Sequence, residues 1–592
     1  MRLMIQEEIK KDLVKALKTL RISVEKIHLE HPANPEHGDY ATNIALATFK
    51  NRPKSLVGET KLPLDWANKI VNVWRLSGLP DYIAKIEVVK PGFINLWFKD
   101  EVFGRELERV LEEKEKYGFQ AGIGGGKGMM FEFAHPNTHK QFHIGHLRTA
   151  SLGETLSRIY QALGYQVYRT NYQGDIGLHV AKCLWGVKKL GLTKAKSLKA
   201  KIDFLAKAYV KGNQAYEKTE KAKKEIDEIN QKLYQKDREV LKLWQQTRRW
   251  SLDYFEEIYH RLNTKFDRYY FESEVAELGK EAVLKNLKKG VFQASQGAII
   301  FPGEKFGLHN RVFITSAGLP TYEAKDMALG RLQFSEFDIE KNIHVVGPEQ
   351  KGYFEVVFKA LERVVPETKG KEKHLSYGWV RLKKGKMSSR AGTLVEFNWL
   401  LDEVKKEIFK ILKDNKDLKK AEKDKVAETV AIGAIKYSIL KFSPDTEIQF
   451  DIKESINLTG DSGPYLQYTN ARCQSVLSKA NGKTKKLKDQ KTDSQFLSFS
   501  VSKFNSEELS LLRTLYQFPE IVQEAGENYA PNLICNFLYD LAQKYNLFYN
   551  KHSILKAKNQ KSKDFRLTLT AGVSQVLKNG LNLLGIAAPR KM

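Results

Sequence analysis

The segment from Met129 to Asp175 is the part of the sequence that most narrows the possible folds. An apolar run at 129–134 predicts a β-strand. The apolar residues that follow at helical spacing are Leu152, Leu156, Ile159 and Leu163. We predict a helix here, capped by Gly164, and a second strand in the run QVYRTNYQGD. Strand, helix and strand within about 45 residues form a βαβ unit, so the expected fold class is α/β with a parallel sheet.

The rest of the chain predicts further domains around that sheet. Its 592 residues exceed what one hydrophobic core usually holds. Residues 1–117 predict a small α+β domain, and residues 118–400 predict the α/β domain. Within the latter, residues 188–260 are lysine-rich and mostly helical, as an insertion would be. Beyond it we expect helices almost throughout, divided into a connector at 401–450 and a bundle at 451–592.

The composition gives the chain a strong positive charge. There are 98 Lys and Arg residues against 71 Asp and Glu, for a net charge of +27. One interpretation is solubility in a lysine-rich sequence. The other is a polyanionic partner, because Lys and Arg gain affinity by releasing counterions from phosphates. Charge alone leaves both open.

Cysteine content and hydropathy indicate the compartment. Cys183, Cys473 and Cys535 are far apart in sequence, so neither a disulfide framework nor a zinc-binding CxxC pair is visible. No apolar run approaches the roughly 18 residues of a membrane span. The amino terminus lacks the apolar region of a signal peptide. We expect a cytoplasmic protein with no membrane segment and no metal ligands of its own.

Two histidines flank a glycine where the first strand gives way to the helix, at His143, Gly145 and His146. Ligands of open α/β sheets bind at the carboxyl ends of the strands, and helix N-termini attract phosphate. Gly145 lets a base or ribose approach the backbone, and imidazole N–H groups can donate to phosphate oxygens. The alternative is two ordinary polar residues at a helix start, because the motif alone is weak.

A second motif, KGKMSSRAGT, occupies residues 384–393. It places Lys386, Ser388 and Ser389 in a glycine-flanked loop. A lysine on such a loop can close over a pyrophosphate leaving group as a point charge. Taken alone, the segment favours a solvated basic turn.

Together and in this order, the two motifs resemble the paired signatures of class I aminoacyl-tRNA synthetases. The segments HGDYATN, PGFINLWF and LLGIAAPRKM extend the resemblance over nearly all of the chain, to the arginyl-tRNA synthetase family. This resemblance implies a Rossmann-like catalytic domain, an all-α anticodon-binding bundle and an N-terminal domain that touches tRNA. It also implies a monomer that uses ATP, Mg²⁺, L-arginine and tRNA(Arg).

The implied reaction joins arginine to tRNA through an arginyl-adenylate, with release of pyrophosphate and then AMP. The catalytic residues that the resemblance implies are His143, His146, Lys386 and Lys140. The ATP site would be formed by His143, Gly145, His146, Lys386, Ser388, Ser389 and Gly347. A class I lysyl enzyme and a non-catalytic tRNA-binding paralogue are the alternatives.

An arginine pocket must set carboxylates against a planar guanidinium with five donors. The residues that the resemblance assigns to it are Glu132, Asn137, Tyr322, Asp326, Gln350 and Asp175. Tyr322 and Asp326 are one helical turn apart, so they share a helix face. Glu132 lies between Phe131 and Phe133, where an unpaired charge would be costly.

The sequence departs from the family pattern at two places. The loop with Gly174, Asp175 and Gly177 matches, but Ile176 and His179 stand where Trp and Gln are frequent. Ala134 and His135 stand where serines are frequent. The first departure puts the role of His179 in doubt.

Candidates for tRNA contact lie at both ends of the chain. Tyr465, Tyr468 and Arg472 share a predicted helix face, and rings with a cation are how single-stranded loops are held. A core stripe is the alternative. The weaker candidates are Tyr545 and Tyr549 in the bundle, and Phe93 and Asn95 in the N-terminal domain.

Overall fold

The computed structural model describes residues 5–383, 395–413, 419–481 and 504–592. The chain divides into two compact units. The first comprises Met1–Lys114, Asn481–Gln517 and Leu547–Val573. The second comprises Glu115–Ala480, Phe518–Asn546 and Ser574–Met592.

The first unit contains a small antiparallel sheet with helices. Its strands are β1 (Tyr40–Thr42), β2 (Ile83–Val89) and β3 (Phe93–Phe98), in the order β1–β3–β2. The helices of its amino-terminal segment are α1 (Ile5–Thr19), α2 (Ile44–Thr48), α3 (Pro63–Leu76) and α4 (Asp100–Glu113). Helix α3 begins with proline, and the Asp65 carboxylate accepts the backbone N–H of Leu62 at 2.8 Å.

The second unit is built around a five-stranded sheet in the order β11–β10–β4–β5–β6, with every neighbouring pair parallel. Strands of this unit are β4 (Gly128–Glu132), β5 (Gln166–Gln173), β6 (Arg268–Phe271), β7 (Gln293–Ser295), β8 (Ala298–Phe301), β9 (Arg311–Ile314), β10 (Lys341–Val345), β11 (Glu372–Leu375), β12 (Val380–Leu382) and β13 (Ile448–Phe450). The parallel sheet confirms the α/β prediction.

Helices connect and cover these strands. Up to the last sheet strand they are α5 (Ala121–Gly124), α6 (Ile144–Ala162), α7 (Leu178–Leu190), α8 (Leu198–Lys218), α9 (Glu220–Tyr234), α10 (Arg238–Arg261), α11 (Glu272–Leu287), α12 (Tyr322–Glu336) and α13 (Lys351–Val364). Farther along the chain come α14 (Phe397–Leu412), α15 (Lys420–Leu440), α16 (Ile452–Ser455), α17 (Gly463–Asn481), α18 (Ser506–Glu527), α19 (Asn532–Lys551) and α20 (Gln560–Leu583).

The strand order reverses at β4. The chain runs from β4 through α6 to β5 on one side, whereas β10 pairs with β4 on the other side. Ligands of open α/β sheets bind in the crevice outside the carboxyl ends of the strands at such a reversal. The sheet topology therefore predicts a ligand-binding site at the carboxyl ends of β4 and β10.

Helix α6 is nearly all buried, as expected for a helix that covers the centre of a sheet. Gly153 leaves room for the ring of Phe133, which would lie 2.2 Å from a Cβ placed there. The helix ends before Gly164, whose φ of +85° confirms the predicted cap. Arg148 is buried and donates to the carbonyls of Ile439 and Pro444, which ties α6 to the end of α15.

The structure differs from the sequence-based expectation in two details. The first strand was expected at 129–134 but ends at Glu132, because Ala134 and His135 adopt left-handed backbone angles that a strand cannot contain. The region beyond residue 400, expected to be helical almost throughout, contributes β13, which pairs with β12. Among the residues that the structure describes, no helix is long and apolar enough to cross a membrane.

Candidate active site

The loop that leaves β4 has an unusual backbone. Ala134, His135 and His139 have φ angles of +78°, +47° and +66°. Such angles cost energy in residues other than glycine, and they persist where surrounding contacts enforce them, commonly at functional sites. One such contact is the carbonyl of Gly174, which accepts the backbone N–H of Thr138 at 2.9 Å and its hydroxyl at 3.3 Å.

The next residues place two imidazoles at the start of α6. The rings of His143 and His146 stack with centroids 3.7 Å apart. Nδ1 of His143 accepts the backbone N–H of Gly145 at 3.1 Å, and Nδ1 of His146 accepts the backbone N–H of His143 at 3.2 Å. A ring nitrogen that accepts is unprotonated, so the proton of each neutral imidazole lies on Nε2. Both rings therefore offer an N–H donor beyond the helix start.

Charge and burial keep these imidazoles neutral. Burial lowers the pKa of His143 to about 4, with a further contribution from Lys140. Burial lowers the pKa of His146 well below its ordinary value, assisted by His143, His135 and Lys140. Lys140 itself is half-buried, with Nζ 5.1 Å from the centre of the Tyr209 ring, and burial lowers its pKa too. The structure thus brings three of the predicted catalytic side chains together.

The lack of a side chain at position 145 has a structural reason that the sequence did not indicate. A Cβ at this position would lie 2.9 Å from Cε1 of the His143 ring. That distance is too short for an undisturbed contact, so a side chain here would displace the imidazole that caps the helix. The predicted approach of a nucleotide to the Gly145 backbone stays a prediction.

Carboxylates converge on the other side of the same crevice. Asp326 accepts a hydrogen bond from the Tyr353 hydroxyl at 2.7 Å. Burial raises the pKa of Asp326 to about 7 despite that bond, and the charges of Glu132 and Glu272 raise it further. The three carboxylates therefore share one electrostatic neighbourhood, as a site for a cationic ligand requires.

A buried hydroxyl faces this acidic group. The Tyr172 hydroxyl is buried and has no hydrogen-bond partner among the described residues. Burial raises its pKa well above the ordinary value, and Asp326 and Glu272 are the next largest causes. Asn137 also lies near Glu272. A Cβ placed on Gly174 would be 2.1 Å from Asn137 Oδ1 and 3.2 Å from Glu272 Oε1, so both side chains approach the same point. An orphaned buried donor beside carboxylates is the kind of group that a ligand satisfies.

Glu132 is held at both oxygens. Its Oε1 accepts from His344 Nδ1 at 3.0 Å, and its Oε2 accepts from the Gln333 amide. His344 also reaches Glu372 through Nε2 at 2.7 Å. Burial opposes ionisation of Glu132, but His344 lowers its pKa below the ordinary value. These partners come from β10, α12 and β11, and no local pattern in the sequence pointed to them.

Glu272 is a residue of the acidic group that the sequence analysis missed. It is the first residue of α11, is 6% exposed, and accepts from Lys325 Nζ at 2.8 Å. An acidic residue at a helix start is usually read as a surface feature. The available signal was its place directly after β6, at the carboxyl edge of the sheet.

Asp175 has a different environment from the one predicted. It is fully buried, and its carboxylate accepts from Arg248 Nε at 2.8 Å and from the Ser273 backbone and hydroxyl at 2.9 and 2.7 Å. With three donors already in place, its carboxylate braces the loop after β5. We therefore do not include it in the arginine pocket proposed below.

His179 now has a defined contact. Its Nε2 donates to the Gly174 carbonyl at 3.2 Å, the oxygen that also receives Thr138. Burial lowers the pKa of His179 to about 3, with Lys140 adding to the effect. The neutral imidazole of His179 therefore ties the start of α7 to the Gly174 carbonyl, and that carbonyl also holds Thr138 in the loop after β4.

The remaining predicted residues of the crevice lie at the starts of helices. Tyr322 is the first residue of α12 and is 56% exposed, one turn ahead of Asp326. Gln350 is half-buried and immediately precedes α13, and Gly347 lies just before it. Lys386, Ser388 and Ser389 fall outside the described residues.

The predicted tRNA cluster on α17 is present as a set of contacts. The Arg472 guanidinium lies 4.9 Å from the centre of the Tyr468 ring, and Tyr468 is 36% exposed. Asn546 donates to the Tyr465 hydroxyl at 2.9 Å and accepts from Arg472. Tyr545 is fully buried. A ring enclosed on all sides cannot stack on a base, so Tyr545 is left out of the tRNA surface proposed below.

The other tRNA candidates belong to the first unit. Tyr549 is 39% exposed, and Phe93 is half-buried on β3. Asn95 on the same strand is 3% exposed, so its amide is a core group. Only the first two present surface to a partner.

A parallel sheet with a His-x-Gly-His turn at its point of strand reversal, followed by a helical C-terminal region, is the arrangement of a class I aminoacyl-tRNA synthetase. The family described as tRNA synthetases class I (R), catalytic domain, matches residues 106–452. The DALR anticodon binding domain matches residues 466–592, and the arginyl tRNA synthetase N terminal domain matches residues 4–98.

Individual relatives agree with this assignment. The chain is 33% identical to arginine--tRNA ligase of Treponema denticola over 95% of its own length and 94% of the relative's. It is 32% identical to that of Flavobacterium psychrophilum, over 96% and 97%. The arginyl-tRNA synthetase structure of Thermus thermophilus covers all of both chains at 25% identity, with a TM-score of 0.80. The chain belongs to the arginyl-tRNA synthetase family.

Proposed function

We propose that this protein activates L-arginine with ATP and transfers the arginyl group to tRNA(Arg). The observation that carries the proposal is one crevice with two chemistries. Neutral imidazole donors lie at the start of α6, and a group of carboxylates with an orphaned tyrosine hydroxyl lies at the same carboxyl edge of the sheet. The first suits a triphosphate and the second a guanidinium.

In the first step, an oxygen of the arginine carboxylate forms a bond to the α-phosphorus of ATP. The bond from that phosphorus to the bridging β-oxygen breaks, and pyrophosphate leaves with its electron pair. Nε2–H of His143 and of His146 donates to phosphate oxygens as charge shifts onto them, and Lys140 adds a positive charge. Lys386 would close over the leaving group. Positioning and electrostatics supply the rate, and no protein nucleophile is needed.

The amino acid is selected by the acidic part of the crevice. Asp326 and Glu132 accept from the guanidinium, Tyr322 flanks its plane, and Glu272, Asn137 and Gln350 face the rest of arginine. In the second step the terminal hydroxyl of tRNA attacks the activated carbonyl carbon, and AMP leaves. A lysine ammonium lacks the forked donors, so it would leave acceptors unpaired.

At the proposed phosphate position, the described side chains offer no ligands for Mg²⁺. The side chains around the proposed phosphate position are the imidazoles and Lys140, whose nitrogens do not suit an oxygen-preferring cation. Among the described residues there is also no cluster of three metal-ligating side chains. We therefore propose that Mg²⁺ is held by ATP itself.

We propose that Tyr465, Tyr468 and Arg472 hold bases of the anticodon loop, and that Phe93 contacts tRNA from the first unit. Stacking on rings and a cation for phosphate support this assignment. Residues 451–592 and 1–117 would be the corresponding domains. We also propose that the protein is cytoplasmic and monomeric. Sedimentation of the purified chain would test the monomer by measuring its mass.

Pyrophosphate exchange into ATP tests the activity directly. It is measured with arginine, lysine and the other amino acids, each with and without tRNA(Arg), and charging of tRNA is followed in parallel. We expect exchange with arginine alone, and charged tRNA(Arg) as the product. Exchange with lysine, or no exchange under any condition, would overturn the proposal.

A further inference from the structure

We propose that His344 is a buried cationic positioning residue that fixes Glu132 for the arginine guanidinium, with Glu372 as the counter-charge behind it. This inference rests on the proposed function, because it assumes that Glu132 accepts from arginine. His344 itself does not contact the substrate. It acts through the carboxylate in front of it.

The sheet places these three side chains in a row. His344 on β10 is paired in register with Glu132 on β4, and Glu372 opens β11 on the other side of β10. Nδ1 of His344 lies 3.0 Å from Glu132 Oε1, and Nε2 lies 2.7 Å from Glu372 Oε2. The side chains of His344, Glu132 and Glu372 are 6%, 4% and 4% exposed. The row is therefore almost entirely buried.

With both carboxylates ionised, the two hydrogen bonds of His344 call for a charged imidazole. A neutral ring donates through one nitrogen only, whereas ionised carboxylates accept at both of these contacts. Burial disfavours the cation, but Glu132 and Glu372 together raise the pKa of His344 well above its ordinary value. Burial raises the pKa of Glu372, while His344 lowers that of Glu132. His344 thus favours the ionised form of Glu132, the carboxylate nearer the substrate.

The geometry of Glu132 is set from both oxygens. Gln333 holds Oε2, and Gln333 is itself oriented by Asn342, whose amide donates to its Oε1 at 2.8 Å. The imidazole is flanked by Phe354 and Phe358, with ring centroids 5.4 and 5.3 Å away. Neither oxygen can turn without breaking a buried contact, so the carboxylate is oriented before arginine arrives.

The row also explains how the crevice tolerates three acids. Glu272 has Lys325 as its cation and Glu132 has His344, whereas Asp326 forms no ion pair among the described residues. The guanidinium then supplies the charge that Asp326 lacks. The titratable groups whose charges act on His344, or on which it acts, are Glu132 on β4, His135 in the loop after β4, Asp326 on α12, and Glu372 and His374 on β11.

Two variants test the row, with opposite signatures in pH. His344→Gln keeps one donor to Glu132 but removes the cation, so Glu132 titrates nearer neutrality. We expect the KM and the calorimetric Kd for arginine to rise about 10- to 100-fold, most strongly at low pH, with kcat and the KM for ATP unchanged. Glu372→Gln weakens the cation instead, so arginine affinity should fall as the pH rises.

The matched control is His374→Gln, since His374 lies on β11 but donates to the Val346 carbonyl at 3.0 Å. Its arginine KM and pH profile should match the parent protein. If His344→Gln does not fold, the alkaline loss in Glu372→Gln decides the matter. Unchanged arginine affinity and pH profiles, or equal losses in kcat and both KM values, would overturn the inference. A parent protein that never activates arginine would instead refute the proposed function.

Discussion

His143 and His344 are both largely buried imidazoles at the carboxyl edge of one sheet, yet they hold opposite charge states. Burial and then Lys140 lower the pKa of His143, and its Nδ1 accepts a backbone N–H, so the ring stays neutral. His344 lies between two carboxylates and is protonated. Burial alone does not decide the charge of a histidine, since the partners at its two nitrogens do. The crevice uses one kind of side chain as a neutral donor and as a cation.

The largest expected effect comes from replacing Asp326, the carboxylate of the acidic group that forms no ion pair among the described residues. Asp326→Ala should abolish arginine-dependent pyrophosphate exchange, and Asp326→Asn should lower kcat/KM for arginine by about 100-fold or more. The measurement is exchange at saturating ATP. Glu323→Gln is the control on the same helix, because Glu323 pairs with Arg311 at 3.1 Å. An Asp326→Ala protein that still exchanges with arginine would contradict the acidic half of the site.

The neutral half should respond in kcat. His143→Asn and His146→Asn each remove one donor to the phosphates, so kcat for exchange should fall about 100- to 1000-fold. The KM for arginine should stay near that of the parent protein. His260→Asn, an exposed histidine on α10, is the control. A rise in the KM for arginine without a fall in kcat would indicate that these rings contact arginine and not the phosphates of ATP.

Lys436 extends the comparison to a buried lysine with neutral acceptors. Its Nζ donates to the carbonyls of Leu262 and Gly585 at 2.8 and 2.9 Å, and burial lowers its pKa to about 7. In the unfolded chain the lysine has its ordinary pKa of about 10.4. Between pH 7 and that value the unfolded chain therefore binds more protons than the folded protein, so the free energy of unfolding rises with pH across that window. The gain should be roughly 2 kcal/mol from pH 7 to pH 9.

Urea unfolding at a series of pH values measures this slope. Lys436→Met should lower the slope, whereas Lys425→Met, an exposed lysine on α15, should keep it. If both variants keep the slope of the parent protein, Lys436 does not change its pKa on folding.

The smallest effect is a gradual pH dependence of arginine use. The pKa of Asp326 is raised to about 7, so its carboxyl group is increasingly neutral below that pH. Because kcat/KM reports the free enzyme, its value for arginine should fall by about tenfold for each unit below pH 7. Asp326→Asn should lose this limb and leave a flatter profile. A parent profile that is flat between pH 5.5 and 7.5 would argue that Asp326 ionises normally.

The periodic parts of the fold were predictable from local sequence. The apolar run before the His-x-Gly-His motif and the helical spacing after it gave β4, α6 and β5, because a buried strand and a buried helix each impose their own period. The end of β4 was placed two residues late. Ala134 and His135 adopt left-handed angles there, and no local sequence pattern indicates them.

The candidate site residues found in the sequence lie in short motifs or in segments that resemble the family. His143 and His146 are three residues apart, and Tyr322 and Asp326 are one turn apart. Glu272 at the start of α11 and His344 on β10 join the acidic group through tertiary packing between elements that are far apart in sequence. The occupied carboxylate of Asp175 follows from Arg248 and Ser273, more than seventy residues away. Local sequence patterns do not indicate contacts between residues this far apart in the chain.

The left-handed residues after β4 restrict what directed evolution can accept there. Positions 134, 135 and 139 admit Gly, and Asn or Asp at modest cost, whereas β-branched side chains would clash with their own backbone. A randomised library over this loop that treats all twenty residue types equally would consist mainly of clones that cannot close it. A degenerate codon set weighted toward glycine and asparagine at those positions would leave more of the library able to report on binding.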